Sequence, residues 1–420
     1  MSRAATQYFP VQRLKYVIDP ERPITYGIVQ CGPDYPGGVP YIRPADMTDE
    51  GGVEDSSLLL RTDPEIAAAY ARSTVVPGDL VISIGPSFGK VMVVPPELAG
   101  ANLTQGTARV AVNRPAIARF VFWALRSTVS LQHWESSVGG ATFRALNLGP
   151  LAVTPIPMPD PQTQRAIADY LDRETARLDA LVAAKERVLG LLAEKRRAVI
   201  TRAVTRGLDP RAPLRDSGIP WLGEIPAHWE SERTRWLFRE RDRRSATGEE
   251  ELLTVSHLTG VTPRSEKDVN MFEAETTEGY KICLAGDLVI NTLWAWMGAM
   301  GVSPVHGIAS PAYNVYEPGD RLEPSYVDAL VRLPVFAQEV TRYSKGVWSS
   351  RLRLYPEGFF EVFLPVPSLS EQRAIVAHVA KESAKLGELR AATERTIALL
   401  KERRAALISA AVTGRMQCLS

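Results

Sequence analysis

Cysteine and histidine are scarce in this chain, and the residue constellations that usually run chemistry are missing. The three cysteines, Cys31, Cys283 and Cys418, stand far apart, with no Cys-x-x-Cys pair. That excludes a zinc ribbon and a redox dithiol, and leaves reduced thiols of a cytoplasmic protein as the expectation. The five histidines, His133, His228, His257, His306 and His378, lack ligand spacing, so no metal site is expected. No Asp-x-Lys or Glu-x-Lys triplet exists, which removes the common nuclease arrangement of a metal-binding carboxylate beside a lysine. An Asn/Asp-Pro-Pro-aromatic loop, which adenine methyltransferases use to hold an extruded base, is absent too. Gly85-Pro86-Ser87-Phe88-Gly89-Lys90 has three residues between its glycines where a phosphate loop needs four, and Val91 stands where a magnesium-binding hydroxyl belongs. It reads as a turn between strands.

Long apolar runs are missing as well. None reaches the roughly 18 residues of a membrane span, and Met1–Gln7 carries no apolar signal segment. The 49 basic and 48 acidic residues leave a net charge of +1, without the basic excess of many DNA binders. Positive charge placed locally, or supplied by a partner, stays open.

What is present is a chain of 420 residues, 45% hydrophobic and 23% charged. That is enough for about two to four domains with sizeable cores. The chain is written twice. Gly78-Asp79-Leu80-Val81-Ile82 returns 208 residues later as Gly286-Asp287-Leu288-Val289-Ile290. Gln164-Arg165-Ala166-Ile167 returns as Gln372-Arg373-Ala374-Ile375, Leu191-Leu192 as Leu399-Leu400, and Ala203-Val204-Thr205 as Ala411-Val412-Thr413, all in that register. Matches in one register over such a distance mark a tandem duplication.

Each half begins with a Gly/Pro-rich region of short strand-like runs, such as Leu80–Ile84 and Val91–Val94, punctuated by turn residues. Stretches 116–131 and 325–342 read as helices. A Pro-punctuated strap follows, Pro155–Pro159 or Pro365–Pro367. Then come stretches almost free of Gly and Pro, 161–206 and 371–413, rich in Ala, Leu, Glu, Lys and Arg. Leu178, Val182, Leu189, Leu192, Val199 and Ala203 form an apolar stripe at helical spacing. Leu386, Ile397, Leu400, Leu407 and Ala411 repeat it, and Lys185, Arg196 and Arg404 interrupt the seam. A helix of about 45 residues spans roughly 65 Å and needs a partner along its length. The other copy is the obvious one, and a pseudo-two-fold axis crossing the pair would make it antiparallel. The expected fold is α+β: two mixed α/β heads at 1–155 and 211–365, separated by helical repeats at 156–210 and 366–420 that pair as an antiparallel coiled coil.

Basic, aromatic and amide side chains crowd the heads' loops. In the first head the candidates for DNA contact are Gln30, Tyr35, Tyr41, Arg43, Arg61, Phe88, Lys90, Gln105 and Arg144. In the second they are Arg264, Lys267, Asn291, Trp294, Tyr313, Asn314, Lys345, Arg351 and Arg353, with Trp296 and Trp348 nearby. Arg and Lys grip phosphates or guanine, and Asn and Gln grip adenine. Any one of them is more readily a structural residue, so the density in loops carries the inference. Over 185–206 seven basic residues face Glu186 and Glu194 alone. This is a solvated helix face, or a surface for phosphate or another subunit. Arg233–Arg244 is a second basic patch with the same alternatives.

Pro157–Asp172, Leu192–Ile200 and Thr205–Leu208 resemble the start and end of the central repeat in specificity subunits of type I restriction-modification systems. Ser217–Trp229, with its Pro220-Trp221-Leu222-Gly223, is similar to that family's lead-in to a second recognition domain, and Ile24–Gln30 to a first-domain motif. No Trp-Leu-Gly segment precedes the first head, whose start at Tyr8-Phe9-Pro10 is abbreviated. The resemblance implies two target recognition domains reading a bipartite, asymmetric site in double-stranded DNA. The paired helices would act as spacer ruler and as docking surface for two modification subunits. Two motor-nuclease subunits would join them. S-adenosylmethionine, ATP and magnesium would belong to those partners, and this chain would be non-catalytic, cytoplasmic and without a membrane. A scaffold with two protein-binding heads on a coiled coil, and a fused enzyme with an unfamiliar site, are the alternatives.

Overall fold

A computed structural model describes residues 9–138, 144–267, 276–346 and 352–416. The chain forms two compact units, one of residues 1–186 with 394–420, the other of residues 187–393. Each unit therefore contains one head and a portion of both long helices.

In the first unit Thr25–Tyr26, Thr107–Val110, Leu80–Ser83 and Val91–Val93 form an antiparallel sheet in that order. In the second unit the order is Phe238–Glu240, Tyr313–Pro318, Leu288–Asn291 and Met300–Val302. The duplicated Leu-Val-Ile is thus the same central strand twice. All three of its residues are apolar because both faces are covered. Leu80 and Ile82 join a core with Phe120, Val121 and Trp134, and Val81 joins one with Ile42, Met92 and Leu103. Leu288 and Ile290 pack with Tyr326, Leu330 and Phe336, and Val289 with Leu253, Val255 and Val261.

The Gly-Asp before each strand has a shared task. Gly78 and Gly286 have φ of 89° and 95°, a left-handed turn that glycine takes without strain. Asp79 accepts from the Val76 N–H at 2.9 Å and from both terminal nitrogens of Arg22. Asp287 accepts from the Leu284 N–H at 2.8 Å and from Nε and Nη2 of Arg241. The repeat encodes a turn whose buried carboxylate locks the neighbouring strand.

Stretches 116–131 and 325–342 each form two helices, not one: Pro115–Leu125 and Thr128–Ser137, then Pro324–Val331 and Pro334–Arg342. The first break falls at Ser127, whose side chain accepts from the Ser130 N–H and restarts the helix. The second falls at Leu333, extended because proline follows it. The Pro straps are strands. Pro155–Pro157 pairs with Val11–Arg13, and Phe363–Val366 with Glu230–Arg233. They lie in two-stranded ribbons, where an absent N–H leaves no interior ladder broken.

The long helices run Pro161–Arg206 and Leu369–Val412. Gln164 and Gln372, the repeated glutamines, are buried at their starts and donate back to the carbonyls of Pro159 and Pro367. In the first unit Ile167 and Leu171 share a core with Ile408, Ala411 and Val412. Asp179 meets Arg404 at 2.8 Å and Glu186 meets Lys401 at 3.7 Å, so these helix segments run in opposite directions. In the second unit Ala203 and Val204 share a core with Ile375. Each repeat thus opens on one head's core and ends in the other's. Burying each large apolar side chain is worth about 1.5–3 kcal/mol, which ties the heads' stability to helix ends distant in sequence. The 217–229 segment folds as a hairpin, Leu214–Asp216 against Glu224–Pro226, and plants Ile219, Leu222 and Trp229 in the second core. Trp229 also donates from Nε1 to Glu371.

Candidate nucleic-acid interface

The end of the central strand gathers loops in both heads. In the first, the Ile84 N–H donates to the Gly106 carbonyl and the Leu146 N–H to the Ile84 carbonyl. This joins the 84–90 turn, the 104–106 turn and the 144–146 segment. Thr107 Oγ1 donates to the Ile42 carbonyl, and the Gln105 N–H to the Ile28 carbonyl, bringing in 28–30 and 42–47. In the second head the Leu354 N–H donates to the Thr292 carbonyl, and Thr292 Oγ1 to the Ala312 carbonyl at 2.8 Å. That joins 292–299, 310–313 and 353–356. The Leu146–Ile84 and Leu354–Thr292 bonds keep the repeat's register of 208.

Around the first loop end lie exposed Gln30, Gln105 and Arg144, with half-buried Arg43, Phe88 and Lys90. Their availability differs. The Arg144 guanidinium sits 5.7 Å over the Phe88 ring, a cation–π pair that stiffens an exposed arginine. Arg43 is clamped by Asp46 through Nε and Nη2. Lys90 donates to the Met47 carbonyl at 2.7 Å. Tyr41 is 4% exposed and belongs to the interior. Arg61 donates to the Gly38 carbonyl and pairs by backbone with Tyr35, so these two stand together on the neighbouring sheet of Arg61–Thr62, Val39–Ile42 and Asn102–Leu103. Beside Lys90 a hollow of about 400 Å³ is lined by Asp46, Asp49, Glu50, Glu54 and Asp55. Carboxylates so placed disfavour phosphate approach there.

The second loop end holds Asn291, Trp294, Tyr313, Asn314 and Arg353. Trp294 is 50% exposed and stacks on Trp296, centroids 6.3 Å apart. Asn291 and Asn314 are buried, Tyr313 is half-buried, and burial pushes the Tyr313 phenol up. Lys345 and Arg353 are exposed and bond through their backbones in both directions at 2.9 Å. Thr292, Leu293, Asn314, Arg353 and Tyr355 line a cavity of about 170 Å³. Arg264 and Lys267 lie apart, at the hairpin of Leu253–Ser256 and Gly260–Pro263. Lys267 donates to Thr259 Oγ1 at 2.8 Å, and burial, then the Arg264 charge, pulls its pKa down. Arg351 and Trp348 lie outside the described residues.

Two arginines absent from that set do related work in the two heads. Arg126 ends the Pro115–Leu125 helix and donates to the Asp49 carbonyl; Arg332 ends Pro324–Val331 and donates to the Leu258 carbonyl. Each grips the tip of a hairpin beside the sheet. Arg126 is half-buried against Phe122 and Trp123, and the loss of water around it brings its pKa down to about 10. The register slips from 208 to 206 between these arginines, so a search at fixed offset passes over them.

On the long helices Leu178, Leu386 and Ile397 are buried, and Val182, Leu189, Leu192, Val199, Leu400 and Leu407 are half-buried. Leu181, Leu191, Leu389 and Leu399 are exposed. Leu181 and Leu191 recur, 208 residues on, as Leu389 and Leu399.

Among the described residues no group of His, Cys, Asp and Glu could hold a metal, and no helix is long and apolar enough to cross a membrane. Cys31 and Cys283 are free thiols, and burial pushes Cys283 up to about 12. Cys418 lies outside the described residues.

No protein-family profile matches the chain. Over 220 residues it is 25% identical to the type I restriction enzyme EcoBI specificity subunit of Escherichia coli, covering 52% of this chain and 42% of that protein. The match thus spans less than half of that relative's length. In fold the chain is similar to a solved chain from work on complex assembly and conformational transition of the type I R-M system. The TM-score is 0.63 at 19% identity, over 97% of this chain and 98% of that one. It is also similar to the HsdS subunit from Thermoanaerobacter tengcongensis, with a TM-score of 0.53 at 19% identity, over 99% and 100%. The chain has the fold of these type I subunits: two mixed α/β heads joined by paired long helices.

Proposed function

We propose that this chain is the DNA-specificity subunit of a type I restriction-modification complex, working in the cytoplasm and carrying no catalytic site of its own. The observation that carries the reading is one scaffold built twice with unlike loops. The same four-stranded sheet and the same loop junction recur, yet one presents Gln105, Phe88 and Arg144 and the other Asn314, Trp294 and Arg353. Like frames with unlike contact residues suit two readers of dissimilar half-sites in duplex DNA. The paired helices would set the unread spacer between them.

The repeated exposed leucines, Leu181 with Leu389 and Leu191 with Leu399, support docking of two like partners. Those partners would be modification subunits bringing S-adenosylmethionine. Motor-nuclease subunits would bring ATP and magnesium. Phosphate contacts shared with them account for a net charge of only +1.

The test is methylome sequencing of a host carrying this chain with its methyltransferase partner. One bipartite motif is expected. Exchanging residues 1–155 for another head should change one half of it. A motif altered in both halves or in neither would defeat the modular reading. Absence of salt-sensitive DNA retention by the complex would favour a protein scaffold instead.

A further inference from the structure

We propose that the cavity at the second head's loop end reads a guanine, and that buried Lys281 sets this preference by fixing which way round the Asn314 amide points. The proposal rests on the specificity-subunit reading and deepens it.

Asn314 is 8% exposed and lines the cavity together with the exposed Arg353; Leu293, Tyr355 and Pro356 supply apolar walls. An asparagine can offer either an acceptor or a donor, depending on how its amide is turned. Here the choice is taken from it. Lys281 Nζ lies 3.3 Å from Asn314 Oδ1, and a lysine ammonium only donates. Lys281 is itself 5% exposed, with Glu240 at 3.9 Å and Asp242 at 3.6 Å, so the cation is held in place. The amide oxygen therefore faces the lysine. With its oxygen taken, the amide has only its N–H donors to offer the cavity that it lines.

Arg353 also only donates. The two nitrogen-bearing side chains thus offer donors and no acceptor. In the major groove guanine shows two adjacent acceptors, N7 and O6, whereas adenine pairs an acceptor with the N6 donor and cytosine shows a donor. Guanine alone matches both protein donors. Asn314 read by residue type suggests adenine; its surroundings reverse that.

The experiment compares methylomes from hosts carrying the modification complex with wild-type chain, Arg353→Ala, Asn314→Asp or Lys281→Met. The wild type should show a fixed guanine in the half-site that follows the second head. Arg353→Ala should let other bases in at that position, with discrimination falling roughly tenfold or more. Lys281→Met frees the amide to turn, so adenine should join guanine at the same position. Asn314→Asp, now an acceptor, should disfavour guanine there. In each case an unchanged other half-site reports that the variant folds and assembles. If Lys281→Met yields no methylation at all, Arg353→Ala decides, because its side chain is exposed. A second half-site with no fixed guanine, or one untouched by Arg353→Ala, overturns the proposal while leaving the specificity reading standing. A wild-type complex with no bipartite motif defeats that reading itself.

Discussion

Asp79 and Asp287 occupy the same place in the two heads but not the same balance of forces. Arg22, the partner of Asp79, is 30% exposed, and Arg241, the partner of Asp287, is 19% exposed. Burial pushes the Asp287 carboxyl up in spite of Arg241 and the Leu284 N–H. Replacing it with alanine strands the arginine, which keeps Glu317 at 3.3 Å, and leaves the Leu284 N–H without its acceptor. Asp287→Ala should cost about 2 kcal/mol and lower the thermal unfolding midpoint by roughly 4–8 °C. The pH dependence has a definite sign. A folded-state pKa above the unfolded one means that the native protein holds the proton more readily. The variant's deficit should therefore widen as pH falls through that raised value. Asp160 behaves oppositely: the Thr163 hydroxyl and N–H hold its pKa below 3.8, so its contribution fades on acidification. The Gly-Asp pair was visible in the repeat, but Arg22 and Arg241 were not, since they stand 57 and 46 residues from the carboxylates they meet. Residue type alone also placed Tyr41 among surface contacts, whereas it fills the interior.

The elements show how one repeat can be built to different standards. Gln372 donates to the carbonyls of Pro367 and Arg321 and accepts from the Glu323 N–H at 2.8 Å. Gln164 donates to Pro159 alone, and its Oε1 is buried without a partner. Removing a buried amide that satisfies three groups costs more than removing one already short of a partner. Gln372→Ala should destabilise by about 3 kcal/mol and Gln164→Ala by about 1 kcal/mol, compared by chemical denaturation. Both long helices were legible in composition and period, because helix propensity and an apolar stripe are local properties. Their starts agree with the sequence reading to within two residues, at Pro161 and Leu369. The shorter helices were legible only as helix. Breaks at Ser127 and Leu333 depend on a cap and on one proline, signals easily outweighed by surrounding apolar periodicity. The Pro-punctuated straps pair as strands with segments more than a hundred residues away, partners that no local signal names.

At the scale of the molecule the helices connect heads whose cores each need both repeats. Inserting one heptad into 161–206 alone should pull Asp179 and Glu186 out of register with Arg404 and Lys401. Co-purification with the modification subunits should then fail. A heptad added to both helices restores the register and lengthens each by about 10 Å. The unread spacer should then widen by about three base pairs, and an unchanged spacer would sink the ruler. Duplication, fold class and the long helices follow from the sequence by itself, because periodicity, composition and repetition are written along the chain. Which loops meet, which cations are already spent on carbonyls and carboxylates, and which way the Asn314 amide faces were decided only by tertiary structure. Those outcomes depend on groups such as Lys281, 33 residues from Asn314, and folding alone brings them within hydrogen-bond reach.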